Sequence, residues 1–186
     1  MTMFVLGLAG WCVAHLMPSV APGLRGRLMS TGGAGPYKGL FALTIVGSLL
    51  LIIFGWRAAD PSFVYAEPEW GRIVNMATML VGLILFVSAR LPTNIKRYIR
   101  HPQLTAVVLW AVGHLLANGD SRSVILFAVM AVWALVSMVT INRRDGAWVK
   151  PDPVPVARDL VPVVIGVVLY AILGWLHPYI AGISIY

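Results

Sequence analysis

Charge is what this chain lacks. No Asp, Glu, Lys or Arg lies inside any of six apolar runs, at residues 2–17, 39–56, 73–89, 103–117, 123–141 and 160–176. Charged residues make up 11% of the 186 positions, and 59% are hydrophobic. An ordinary soluble domain carries about 25% charged residues. Too little polar surface remains to face water all round, so lipid must surround most of the chain. Ionic groups at membrane depth usually mark pumps and ion-coupled transporters, and their absence from the runs argues against that class. One cysteine, Cys12, excludes an internal disulfide. Acidic residues are scarce too: seven against 14 Lys and Arg, a formal net charge of +7. The basic residues sit between the apolar runs, however. That placement reports membrane topology and contact with anionic lipid, with no nucleic acid as partner.

Each run approaches the roughly 20 residues needed to cross hydrocarbon. No Lys or Arg precedes the first, and it ends in His15-Leu16-Met17-Pro18 rather than in a small-residue cleavage site. It therefore reads as a retained helix stopped by Pro18. Residues 19–37, rich in Gly and Pro and holding Arg25 and Arg27, read as a basic loop. Residues 57–72, with Asp60, Glu67 and Glu69, read as an acidic one, and 90–100 as a second basic one. Asn118-Gly119-Asp120 reads as a short hairpin turn, with Gly119 in the left-handed region and Asp120 or Ser121 capping the next helix. Pro151, Pro153 and Pro155 keep 142–159 extended. Eleven Lys and Arg fall in the loops after the first, third and fifth runs, and three in the others. The expectation is an all-α polytopic membrane protein: one domain over residues 1–186, six transmembrane helices in a bundle, and both termini on the non-cytoplasmic side.

Four histidines stand out against this background. His114 has Trp110 one turn before it and Asn118 one turn after; His15 has Trp11 one turn before it. Two helices that each offer an imidazole beside a flat aromatic and small residues could clamp haem b, the iron taking both rings as axial ligands. The plainer reading is that a lone intramembrane histidine hydrogen-bonds a neighbouring helix. His101 and His114 are 13 residues apart, so on one helix they face nearly opposite ways, about 20 Å apart along the axis. A haem lying parallel to the membrane suits His15 with His114. An upright one suits His15 with His101, with Lys96, Arg97 and Arg100 neutralising the propionates. His101, before Pro102, otherwise reads as a helix N-cap or headgroup contact, and His177, before Pro178, as structural.

Arg100-His101-Pro102-Gln103, Trp110-Ala111-Val112-Gly113-His114, Asn118-Gly119, Val13-Ala14-His15 and His177-Pro178 resemble the NnrU family, over essentially the whole chain. That family also includes plant 15-cis-zeta-carotene isomerase. The resemblance implies a multi-pass protein of the bacterial inner membrane, associated with denitrification and so with the enzymes that reduce nitrite and nitric oxide. By motif position it implies haem b on His15 and His114; Trp11 and Trp110, one turn before each, would pack on the ring. The isomerase has a cysteine three residues before its second haem histidine; this chain has Ala111 there, and its only thiol, Cys12, lies three residues before His15 instead. Any ligand exchange would use that side. Three functions follow as expectations. One is a haem-dependent accessory factor in nitrogen oxide reduction. The others are an isomerase of a carotenoid-like polyene and a cofactor-free transporter or assembly scaffold.

Overall fold

The computed structural model describes residues 1–185, and every described helix is long or is punctuated by Gly, Pro or a capping side chain. The helices are α1 (Thr2–Val20), α2 (Pro22–Gly32), α3 (Ala34–Ala58), α4 (Gly71–Ser88), α5 (Pro102–Ala117), α6 (Ser121–Asp145) and α7 (Ala157–Ala181), with one 3₁₀ turn at Asn94–Arg97. Among the described residues there is no strand, only an isolated bridge between Phe63 and Asp120. Five helices, α1, α3, α4, α6 and α7, are long and apolar enough to cross a membrane; α5, at 16 residues, is shorter. The protein is thus an all-helical membrane protein.

Two expectations about breakers fail. Pro18 does not end α1, which continues to Val20 with Pro18 inside it. A proline there removes one main-chain hydrogen bond, and the next turn is held by side chains. Ser19 Oγ donates to Leu16 O at 3.0 Å and meets Thr140 Oγ1 of α6 at 2.9 Å. The expected loop at 19–37 is mostly helix. Pro22 opens α2 at its first turn, where its missing N–H costs nothing. Gly33, at φ +84°, is the joint that separates α2 from α3. Likewise α7 runs through His177 and Pro178 to Ala181, and α6 runs on to Asp145. Helical hydrogen bonding continues past the apolar stretch because the ionic side chains at helix ends reach water.

The contacts divide the chain into two compact units, each built from separated stretches: Met1–Ala66 with Gly119–Gly146, and Glu67–Asn118 with the residues from Ala147 on. In the first, α1 packs along α3 and against α6. The contact is made by small residues: a Cβ on Gly7 would stand 2.7 Å from Ile52 N and 2.8 Å from Ser48 O. In lipid the apolar side chains gain nothing by leaving their surroundings, so helices associate by close backbone approach and van der Waals packing. The large side chains of α3 accordingly face outward; Leu43 is 71% exposed. In the second unit α4 is central, with α5 and α7 both packed on it. Asp159 at the start of α7 accepts from Thr93 Oγ1 at 2.6 Å and from Asn94 N at 2.7 Å, which ties the segment before the 3₁₀ turn to α7.

Gly119 is not in the left-handed region: the described positive-φ residues are Gly33, Gly146 and Gly182. Its carbonyl instead accepts from Val64 N at 2.9 Å and Tyr65 N at 3.2 Å, so residues 119–121 lie extended against 62–65. The Asp120 cap is as expected, its carboxylate accepting from Arg122 N and Ser123 N at 3.0 and 3.1 Å. Partial burial opposes ionisation of this carboxyl. The hydrogen bonds from the Ser123 side chain and backbone and the Arg122 backbone, with the Arg122 charge, outweigh it and hold the pKa below the usual aspartate range. A folded-state pKa below the unfolded one, about 3.9, gives stability that is present above that value and lost as pH falls through the folded pKa. Asp120→Ala is therefore expected to cost about 1–2 kcal/mol at neutral pH. Asp120→Asn, which keeps a capping oxygen, should lower the loss of thermal stability between pH 6 and pH 3.

Candidate functional site

Each of the two histidines singled out by the sequence sits in a different unit, and each is held in the same way. His15 Nδ1–H donates to Trp11 O, one helical turn back, at 3.0 Å. The Trp11 ring lies beside the imidazole, with centroids 3.9 Å apart. Trp133 of α6 and Phe41 of α3 meet it edge-on at 5.6 and 5.8 Å. The indole nitrogens of Trp11 and Trp133 are both buried with no hydrogen-bond partner in the structure. His15 thus occupies an aromatic box whose two polar donors are unanswered.

His114 Nδ1–H donates to Trp110 O at 2.8 Å, and the Trp110 ring centroid is 5.6 Å away. Gly113 beside it lets α5 close on α4: a Cβ there would stand 2.6 Å from Asn75 Oδ1. Asn118 Nδ2 donates to His114 O at 2.9 Å and closes the end of α5. His114 lines a cavity of ≈ 60 Å³ with Arg72, Asn75, Met76, Tyr170 and His177. The residues after α7 lie over the same end. His177 Nδ1–H donates to Ile183 O at 2.7 Å and Arg72 Nη2 donates to Ser184 O at 3.3 Å. Ile185 lines the cavity.

The basic residues are elsewhere in this unit. Lys96 and Arg97 belong to the 3₁₀ turn, and Arg100 and His101 precede Pro102. His101 is the N-cap of α5, its carbonyl accepting from Thr105 N at 2.9 Å and Thr105 Oγ1 at 3.0 Å. That end of α5 is about 20 Å from His114 by helical rise, so the cation beside His114 is Arg72. Sequence reasoning missed Arg72, Asn75, Tyr170 and His177. It also passed over Trp133 and Phe41 around His15. One signal was available: Tyr170, Gly174 and His177 recur at helical spacing and share a face of α7.

In each ring the Nδ1–H bond to a carbonyl leaves the lone pair of the neutral imidazole on Nε2. This is the arrangement in which protein histidines ligate metals. Among the described residues, no three His, Cys, Asp or Glu side chains gather into one group. A single imidazole with this tautomer suits the iron of a macrocycle, which brings four nitrogens of its own, better than it suits a bare hard cation. A family model described as NnrU protein matches residues 3–185. No curated protein and no solved structure matches the chain.

Proposed function

The chain belongs to the NnrU family, and from that premise we propose that it is a haem b protein of the bacterial inner membrane, accessory to the reduction of nitrite and nitric oxide. The observation that carries this reading is the repeated Trp-x-x-x-His unit. In both copies Nδ1–H is anchored on the tryptophan carbonyl, at 3.0 and 2.8 Å, and the indole lies against the imidazole. His15 and His114, one in each unit, are the residues that would hold the haem iron. Their anchored Nδ1–H fixes the tautomer and raises the basicity of Nε2. Trp11 and Trp110 offer flat surfaces for the ring, and the buried indole N–H groups of Trp11 and Trp133 are donors for an acceptor on the ring's edge. Bound haem supplies a redox-active iron. In the proposed topology α5 is the short fourth span, both termini lie outside the cytoplasm, and Lys96, Arg97, Arg100 and His101 meet lipid headgroups or propionates on the cytoplasmic side.

A second ligand pair is favoured by one specific observation: His177 lines the same cavity as His114, its Nδ1–H likewise anchored on a carbonyl. The test is the absorbance and EPR of protein expressed with haem supplementation. A low-spin bis-imidazole signature that is lost in His15→Ala and kept in His177→Ala supports the first pair, and the reverse supports the second. Absence of a Soret band from folded parent protein would remove haem altogether.

A further inference from the structure

Of the residues that line the His114 cavity, all but one belong to α4, α5 or α7. The exception is Ile185, in the irregular segment that follows α7. Gly182 turns that segment back over the cavity. It is left-handed, at φ +77° and ψ +6°, and its N–H donates to Pro178 O at 2.9 Å, which ends α7 and reverses the chain. Two residues of the cavity wall then grip the returning backbone. His177 Nδ1–H donates to Ile183 O at 2.7 Å, and Arg72 Nη2 donates to Ser184 O at 3.3 Å. We propose that residues 183–185 are a latch over His114. Seated, they close the cavity with Ile185; released at Gly182, they admit small molecules from water to the imidazole. The proposal concerns access to His114 and stands whether or not that ring holds an iron.

The latch and the helical walls differ in what it takes to move them. Displacing His114 or Tyr170 means pulling α5 or α7 off α4, against close backbone approach. A Cβ on Gly166 of α7 would stand 2.9 Å from Ile84 Cα, and one on Gly113 of α5 would stand 3.3 Å from Asn75 Cα. The latch is shallow by comparison: Ile183 is 61% exposed, Ser184 is exposed and Ile185 is partly buried. The His177 and Arg72 bonds that fasten it are both exposed to solvent. Few buried apolar contacts and exposed backbone hydrogen bonds mark segments that open locally at low free energy while their neighbours stay packed. The hinge is a conformation that glycine alone adopts without penalty. A Cβ on Gly182 would meet nothing within 4 Å, so a side chain there acts on backbone conformation and not on packing. It disfavours the seated state relative to the released one, which no longer requires a positive φ.

The test is site-resolved mass spectrometry of histidines modified by diethyl pyrocarbonate, on full-length protein in nanodiscs without added haem. A reagent that reaches His114 only through the open latch modifies it in proportion to the open fraction. Gly182→Val, which puts a β-branched residue in the left-handed region, should raise the His114 rate about 5–30-fold. Deletion of residues 183–186 removes the latch outright and should raise it at least as much. His15, in the other unit, is the internal standard and should keep its parental rate in both variants. An unchanged His114 rate in either variant, or a rise at His15 that matches the rise at His114, overturns the proposal. A missing Soret band in the haem experiment leaves it standing.

Discussion

Gly7→Val is expected to abolish a stably folded first unit. A Cβ at this position would lie 2.7 Å from Ile52 N, 2.8 Å from Ser48 O and 2.9 Å from Leu51 Cβ. Two of these are backbone atoms inside α3, so the strain cannot be relieved by a rotamer change. The helices must move apart, and with them goes the buried packing of Phe4 and Leu8, 0% and 1% exposed. Gly55 meets Phe4 in the same way about one turn along the pair, with its added Cβ 2.9 Å from Phe4 Cβ, so close approach is repeated at successive turns of the α1–α3 contact. A loss of at least about 3 kcal/mol follows, since overpacking and lost core contact act together. The measurement is the monodisperse fraction after detergent extraction, with a thermal melt. Gly47→Ala is the control. Nothing lies within 4 Å of its added methyl, and alanine is the better helix former by about 1 kcal/mol, so that variant should melt at or above the parent. A Gly7→Val protein that melts like the parent would show that the α1–α3 contact is not held by close approach.

On the proposed haem reading, His114→Ala is expected to lower haem retention to below about a tenth of the parent, beyond the low end of the 10–100-fold effects of losing an outer-shell partner. The helix should survive the change. The bond from Asn118 Nδ2 is to the His114 carbonyl, which alanine keeps. Exogenous imidazole should restore part of the Soret band by occupying the vacated position. His101→Ala is the matched comparison. It removes an imidazole from the same helix about 20 Å away, where the carbonyl and not the ring serves Thr105, so its spectrum should match the parent. Equal loss in both variants would mean that the spectrum reports folding and not ligation.

The histidine environments illustrate how far local pattern reaches. The Trp-x-x-x-His units, the Asp120 cap and the helix start at Pro102 depend on atoms one turn apart, and spacing alone predicts them. The loop expected at 19–37 failed because composition counts breakers without their positions. Pro22 at the first turn of α2 and Gly33 between helices stop nothing; they place the helix ends. Gly119 failed for the converse reason, since residues 62–65, more than fifty positions away, supply the partners that keep it extended.

By itself the sequence determined that this is a helical membrane protein, because hydrocarbon penalises every charge and every unpaired backbone group wherever it falls. Only the tertiary structure decided that Arg72, Asn75, His114 and His177 line one cavity. Those residues come from three helices, and what brings them together is the close approach that glycines allow between backbones. That contact leaves no periodic trace in any one segment.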